Sequence, residues 1–223
     1  MIIMERRRYN IAVLGGTGAQ GSGLALRLAA AGHGVTLGSR DKERAQAAAA
    51  ELSRRSGSAI KGNENRAAAT AADMAILTVP YSVQRATVEP LLSELKGKLL
   101  VDATAPLVPP KVGTVQLPRG RSAVAAIQQL AGDNVRVVSA FQNVSAQHLS
   151  ELDHEVDCDV LVCGNDREAC DVVIGLCADI GLRGFYAGPI ENSAAAEALT
   201  SVLITINRRY KVAGAGIRIT GPK

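Results

Sequence analysis

A glycine-rich turn close to the start of the chain constrains the possible folds most. The apolar run at residues 11–14 predicts a short buried strand. A G-x-G-x-x-G sequence follows and leads into a predicted helix over residues 21–31; it consists of Gly16, Thr17, Gly18, Ala19, Gln20 and Gly21. A strand, a glycine-rich turn and a helix in this order are typical of the βαβ unit that binds dinucleotides.

The three glycines of such a turn have separate roles. Gly16 permits the tight turn, Gly18 lets the backbone approach a pyrophosphate, and Gly21 lets the helix pack closely on the strand. Free backbone N–H groups at the start of the helix face the anionic phosphates. The sequence therefore predicts a dinucleotide site. The alternative is a glycine-rich turn between strand and helix that binds no ligand.

The residues after the second predicted strand indicate which dinucleotide is bound. NAD enzymes carry a carboxylate there, about twenty residues past the turn, which binds the ribose 2′-hydroxyl. Here the strand at 35–37 leads into Ser39 and Arg40, with no carboxylate at its end. Both residues can bind a 2′-phosphate through charge-assisted hydrogen bonds, and Arg44 lies one helical turn further on. NADP is therefore preferred over NAD. The alternative for Arg44 is a solvated surface charge.

Predicted strands and helices alternate along the rest of the chain. Strands are expected at 59–60, 74–79, 98–102, 136–140, 160–163 and 182–187, and helices at 41–55, 64–72, 83–95, 122–131, 167–180 and 193–209. This alternation predicts an α/β fold, a Rossmann-type doubly wound, mostly parallel sheet with a small C-terminal α/β-helical extension. We divide it into an NADP-binding region, residues 1–150, and an extension, residues 151–223, within one compact unit.

Charge and composition exclude several classes of protein. The 223 residues carry a formal net charge of +4, but Lys and Arg are scattered and no aromatic residues interleave with them. We therefore expect a polyanionic small molecule rather than nucleic acid as the partner. No apolar run reaches the ~20 residues of a membrane span, and the first residues do not resemble a signal peptide. A cytoplasmic protein without membrane contact is expected.

The cysteines predict neither a metal site nor a redox site. No two of them form a C-x-x-C pair, and each falls in or beside an apolar segment; they are Cys158, Cys163, Cys170 and Cys177. Thiols in such places behave as small hydrophobic groups. We expect buried structural thiols in a reducing compartment.

Short motifs throughout the chain resemble one known family. They are LGGTG at 14–18, GLALRL at 23–28, GH at 32–33, GSR at 38–40, LTVP at 77–80, PLVP at 106–109, VSA at 138–140, VCG at 162–164, AGP at 187–189 and EALT at 197–200. They are similar to those of the NADPH-dependent coenzyme F420 reductases, from Tyr9 to the C-terminal helix. The segments at 81, 101–105 and 141–145 depart from the archaeal pattern.

The resemblance implies a function and a set of binding residues. Hydride would pass between NADP(H) and the deazaflavin coenzyme F420, the second substrate. The backbone of residues 17–20 would contact the pyrophosphate, and Ser39, Arg40 and Arg44 the 2′-phosphate. The nicotinamide would lie among Val79, Pro80, Val108 and Ala146. The deazaflavin would stack on it in a cleft closed by the PLVP loop and by C-terminal helices, which also contribute to a homodimer.

Hydride transfer needs neither a nucleophile nor a metal, because it depends on holding two carbons ~3–3.5 Å apart. We expect no catalytic side chain, although Gln142 and Asn143 are candidates to donate hydrogen bonds to the deazaflavin. Asp102 either takes part in the site or organises a loop. A capping or surface position is expected for His33, and solvated positions for His148 and His154.

Two further features bear on assembly and on substrate binding. The helix at 193–209 is apolar over much of its circumference, which predicts burial in its own domain or against a second subunit. Basic residues are expected to steer the anionic reactants toward the cleft; they are Arg119, Arg121, Arg208, Arg209 and Lys211. Other functions remain open, namely an NADPH-dependent reductase of another acceptor or small imine, and a non-enzymatic NADP sensor.

Overall fold

The computed structural model describes residues 7–119 and 122–221. Its strands are β1 Asn10–Leu14, β2 Gly34–Ser39, β3 Ile60–Glu64, β4 Met74–Leu77, β5 Leu99–Asp102, β6 Arg136–Ser139, β7 Asp159–Gly164 and β8 Arg183–Tyr186. They form one eight-stranded sheet in the order β3-β2-β1-β4-β5-β6-β7-β8. The strands from β3 to β6 run parallel, whereas β7 pairs antiparallel with β6 and parallel with β8. The predicted Rossmann-type fold is confirmed.

Helices cover both faces of the sheet. They are α1 Ala19–Ala30, α2 Lys42–Ser56, α3 Asn65–Ala71, α4 Gln84–Val88, α5 Leu92–Leu95, α6 Ala123–Ala131, α7 Ala146–Leu149, α8 Arg167–Asp179 and α9 Ser193–Tyr210. Four of these helices begin at a side-chain cap, because Asp41, Ser122, Ser145 and Asp166 each accept a backbone N–H of the following turn.

The central strand β1 shows how the core is divided. Ile11 and Val13 pack with α1, α2 and α8 on one face, whereas Ala12 and Leu14 pack with α3, α5 and α6 on the other. All four side chains are almost completely buried. Alternate side chains of a strand point to opposite faces, so a strand that is apolar at every position indicates a sheet covered on both sides.

One predicted helix is broken, and strand β4 ends earlier than expected. Residues 83–95 form α4 and α5 with a 3₁₀ turn, Glu89–Leu91, between them. Pro90 lies in that turn and lacks the backbone N–H that a continuous helix would use at this position. Strand β4 ends at Leu77, so Val79 and Pro80 lie in the loop that follows it.

The histidine predictions were wrong for His33 and in part for His148 and His154. His33 is buried; its Nδ1 accepts the Tyr9 N–H and its Nε2 lies 3.2 Å from Asp179 Oδ2. Burial lowers the pKa of this imidazole below its usual value. His148 and His154 are half-buried, with ring centroids 4.3 Å apart.

The four cysteines are buried and free, as predicted. Burial raises the pKa of Cys163 and of Cys170 to about 11, so both thiols stay protonated at neutral pH. Among the described residues, no helix is long and apolar enough to cross a bilayer, and no cluster of side chains is suited to a metal ion.

Candidate functional site

The glycine-rich turn lies where the strand order reverses. Strand β1 pairs with β2 on one side and with β4 on the other, so the carboxyl ends of β1 and β4 meet at the switch point of the sheet. Ligands of open α/β sheets bind in the crevice at this place. The Gly16 N–H donates to Val13 O and to Gly38 O, at 3.1 Å each, which fixes the turn against the end of β2.

Close packing explains why Gly21 and Gly15 carry no side chain, and the backbone conformation of Gly15 is a second reason there. A Cβ on Gly21 would lie 2.5 Å from Thr78 Oγ1 and 2.8 Å from the Gly16 Cα, so helix α1 and the turn touch here. Gly15, which we did not predict, has a φ of +74° and would place a Cβ 2.5 Å from Val79. A Cβ on Gly18 would meet nothing closer than 3.5 Å, which leaves the backbone open to a ligand.

A pocket of about 200 Å³ opens beside the turn. It is lined by Gly15, Thr17, Gly18, Ser39, Arg40, Arg44, Asn65, Thr78, Val79, Pro80, Val83 and Thr87. The structure therefore brings the turn and the Ser39-Arg40-Arg44 group to one cavity, together with Val79 and Pro80. Four of these lining residues were not predicted, because they reach the pocket from elements whose order in the sheet is not evident from the sequence; they are Asn65, Thr78, Val83 and Thr87.

The cations of this pocket are unpaired. Arg40 and Arg44 are exposed, and neither guanidinium forms an ion pair within residues 7–119 and 122–221. Ser39 Oγ accepts the Asp41 N–H at 3.2 Å, which leaves its hydroxyl hydrogen free to donate. The pocket therefore offers two guanidinium groups and a hydroxyl donor to an anion.

Two predicted nicotinamide neighbours lie outside this pocket. Val108 is 41% exposed in the loop after β5. Ala146 begins α7, which packs on α1 so closely that a Cβ on Gly23 would lie 2.6 Å from Leu149 Cβ. The turn is nevertheless linked to the segment before α7, because Gln20 Nε2 donates to Phe141 O at 2.7 Å.

The side-chain N–H groups of Gln142 and Asn143 donate inside the fold, which argues against their predicted role as donors to the deazaflavin, whereas Gln142 Oε1 is buried without a partner among the described residues. Gln142 Nε2 donates to Asp102 O and to Ser139 Oγ, both at 2.8 Å. Asn143 Nδ2 donates to Ala196 O at 2.8 Å and to Thr200 Oγ1 at 3.3 Å. In this arrangement neither amide has an N–H left for a deazaflavin.

Asp102 organises the loop after β5. It is fully buried; its Oδ1 accepts the Thr104 N–H at 2.9 Å and its Oδ2 accepts from Gln84 Nε2 at 2.7 Å. Burial raises the pKa of this carboxyl to about 6, although the hydrogen bonds oppose the shift. Of the two interpretations of Asp102, the structure favours the one in which it holds the loop.

The comparisons with known proteins agree with these features. A family described as "NADP oxidoreductase coenzyme F420-dependent" matches residues 10–106. The F420-dependent NADP reductase of Methanocaldococcus jannaschii is 45% identical over 219 residues, which cover 94% of this chain and 97% of that protein. The chain belongs to the coenzyme F420-dependent NADP oxidoreductase family.

Other relatives of this family member extend the comparison. The F420-dependent NADP reductase of Methanothermobacter marburgensis is 43% identical over 218 residues, 94% of this chain and 97% of that one. A solved structure from Arthrobacter sp. FB24 has a TM-score of 0.81 at 26% identity and covers 96% of this chain and 100% of that one. An imine reductase from Bacillus cereus BAG3X2 has a TM-score of 0.63 at 18% identity over 90% of this chain and 62% of that one, which shows the fold alone.

In this family member, a buried carboxylate joins α9 to α6. Glu197 is 1% exposed and accepts from Ser122 Oγ at 2.7 Å, Ala123 N at 2.8 Å and Val124 N at 3.1 Å. Burial raises the pKa of Glu197, and the same hydrogen bonds oppose the increase. Thr200, one turn further along α9, contacts Asn143. Glu197 therefore holds α9 against the start of α6, and Thr200 holds α9 beside the segment that follows β6.

Basic residues gather where α9 meets the loop after β5. A cavity of about 460 Å³ is lined by Lys111, Gly113, Thr114, Thr205, Arg208 and Arg209. Thr205 Oγ1 donates to Gly113 O at 2.9 Å, which ties the loop to the helix. Two of the five predicted steering cations, Arg208 and Arg209, line this cavity, whereas Arg121 lies outside the described residues.

Proposed function

We propose that this chain transfers hydride between NADP(H) and coenzyme F420. The observation that carries the proposal is the switch-point pocket, where a G-x-G-x-x-G turn faces Ser39, Arg40 and Arg44 in a chain 45% identical to an F420-dependent NADP reductase. Mixing the purified protein with NADPH and F420 tests it. We expect loss of the visible absorbance of oxidised F420 with NADPH, and little with NADH. No loss with either nucleotide would refute the proposal.

The NADP-binding residues are assigned as follows. Backbone groups of the glycine-rich turn contact the pyrophosphate; the turn consists of Gly16, Thr17, Gly18, Ala19, Gln20 and Gly21. The side chains of Ser39, Arg40 and Arg44 bind the 2′-phosphate. The nicotinamide extends past Val79 and Pro80 toward the loop that contains Val108. The free N–H groups, the unpaired guanidinium groups and the position at the switch point support this orientation. Ala146 lies at the start of α7, outside the pocket, and its place beside the nicotinamide stays a prediction.

Residues 151–223 supply the second side of the deazaflavin cleft through α9. The reaction itself requires only that the two rings be stacked, because hydride moves directly between carbons. We place this reaction in the cytoplasm, where the four free thiols would stay reduced.

The coenzyme carries a phosphate and a glutamate tail, and we assign that tail to the cavity of Lys111, Arg208 and Arg209. Changing both Arg208 and Arg209 to Gln is expected to raise the KM for F420 about tenfold and to leave the KM for NADPH nearly unchanged. Steady-state kinetics with each substrate varied in turn measure this. A variant with Arg85 and Arg167 changed to Gln loses the same two charges elsewhere on the surface and should behave like wild type. An unchanged KM for F420 in the first variant would contradict the assignment.

We propose a homodimer in which a second copy covers one face of α9. Of the two alternatives for this helix, complete burial in its own domain is not observed, because Val202 is 42%, Ile206 36% and Tyr210 72% exposed. A spacing of four residues places these side chains on one face. Light scattering should show a dimer at micromolar concentration that Ile206→Glu shifts to monomer, whereas Ala50→Glu on exposed α2 leaves it unchanged. A wild-type monomer, or a dimer of Ile206→Glu, would contradict the proposal.

A further inference from the structure

Asn65 brings a third element into the switch-point pocket. It begins α3 directly after β3, and β3 pairs with β2 so that Asn63 lies opposite Gly38 and Glu64 opposite Ser39. The carboxyl ends of β2 and β3 therefore place the Asn65 side chain in the same cavity as Ser39, Arg40 and Arg44.

The Asn65 amide has no partner in the part of the chain that the structure describes. Its Oδ1 is buried and accepts no hydrogen bond, and its Nδ2 donates none. Buried polar atoms of folded proteins are nearly always hydrogen-bonded, since leaving one unpaired costs free energy. The neighbouring Asn63 differs, because its Oδ1 accepts the Glu64 N–H at 3.0 Å. The Nδ2 has no acceptor among the described residues and lies in the pocket of two guanidinium groups, which indicates an anionic ligand that accepts from it.

Gly38 keeps open the space that this amide fills. A Cβ on Gly38 would lie 2.6 Å from Asn65 Oδ1 and 3.2 Å from Leu14 Cδ2. Gly38 does not have the positive φ that only glycine tolerates easily, since it is not among the residues with that conformation. The absence of a side chain at this strand position therefore serves the placement of Asn65 rather than the backbone conformation.

We propose that Asn65 binds the phosphorylated ribose of NADP and helps to select it over NAD. Its Nδ2 donates to a 2′-phosphate oxygen, whereas its Oδ1 stays buried against Gly38. An amide suits this place because it offers a donor and adds no negative charge. A carboxylate would accept only and would repel the phosphate. The inference rests on NADP binding in the proposed function.

Calorimetric titration of NADP⁺, NAD⁺ and 2′,5′-ADP without F420 tests the inference. Asn65→Asp keeps the shape and replaces the donor with a charge, so affinity for NADP⁺ and 2′,5′-ADP is expected to fall about 10–100-fold. Affinity for NAD⁺ should change less than about threefold. Asn63→Asp adds the same charge to a residue outside the pocket and should cost less than about threefold for each ligand. Asn65→Ala adds no charge, and its affinity for NADP⁺ should fall about 3–10-fold. This variant tests the role of Asn65 if the aspartate variant fails to fold.

The outcomes separate this inference from the function on which it rests. Wild-type protein that binds NADP⁺ tightly, with Asn65→Ala and Asn65→Asp binding it equally well, would overturn the role of Asn65 alone. Equal losses for NADP⁺ and NAD⁺, or equal losses in the Asn63→Asp and Asn65→Asp variants, would also overturn it. Wild-type protein that does not bind NADP⁺ would overturn the proposed function and this inference together.

Discussion

Changing Arg40 to Asp is expected to weaken NADPH binding about 100-fold and NADH binding no more than about threefold. The guanidinium of Arg40 is exposed, unpaired within the described residues and directed to the same pocket as Ser39 and Arg44. Removing a charge-assisted hydrogen bond costs about 1.5–3 kcal/mol, and an aspartate in its place adds repulsion with the 2′-phosphate. NADH has no 2′-phosphate, so its binding is affected neither by the lost hydrogen bond nor by the added repulsion. Dissociation constants of both nucleotides measure the difference.

A neighbouring charge reversal serves as the control for this variant. Lys42 begins α2, two residues after Arg40, and does not line the pocket. Lys42→Asp makes the same change in net charge, and we expect a loss of no more than about fivefold for NADPH because exposed charges are screened by salt and solvent. Equal weakening of NADPH and NADH by Arg40→Asp would contradict the assignment of the 2′-phosphate site.

Changing Glu197 to Ala is expected to lower the free energy of unfolding by about 3–5 kcal/mol. The truncation leaves the Ala123 and Val124 N–H groups buried without their acceptor and opens a cavity between α9 and α6. Glu197→Gln keeps the shape and one acceptor oxygen, so its loss should be clearly smaller. Denaturant unfolding of the three proteins measures both effects. A loss below about 1 kcal/mol for the alanine variant would show that Glu197 does not hold the two helices together.

The features that the sequence predicted well depend on neighbours in the chain. The turn from Gly16 to Gly21 and the group of Ser39 and Arg40 each lie within a few residues of a strand end, and a βαβ unit leaves little choice of geometry. The helix predicted at 41–55 also begins where expected, since Asp41 Oδ1 caps α2 by accepting the Arg44 N–H at 2.9 Å. Alternation of apolar segments was sufficient for the fold class because parallel strands require crossover helices.

The features that the sequence did not predict depend on distant pairs. Glu197 contacts Ser122 across 75 residues, and His33 contacts Asp179 across 146 residues. Nothing in the local pattern distinguishes such a buried side chain from a solvated one. Gln142 was a candidate donor to the deazaflavin, yet its Nε2 donates to Asp102 O because β6 lies directly beside β5. Strand order decides these contacts.

Isotope transfer shows whether hydrogen passes directly from NADPH to F420. NADPH carrying deuterium in place of both hydrogens at the nicotinamide C4 is incubated with F420 and the protein, and the reduced deazaflavin is examined by mass spectrometry. We expect reduced F420 to gain one deuterium on a ring carbon, and unlabelled NADPH in deuterated water to give no deuterium on that carbon. Reduced F420 whose new ring hydrogen comes from solvent, or no reduction of F420 at all, would contradict direct hydride transfer by this protein.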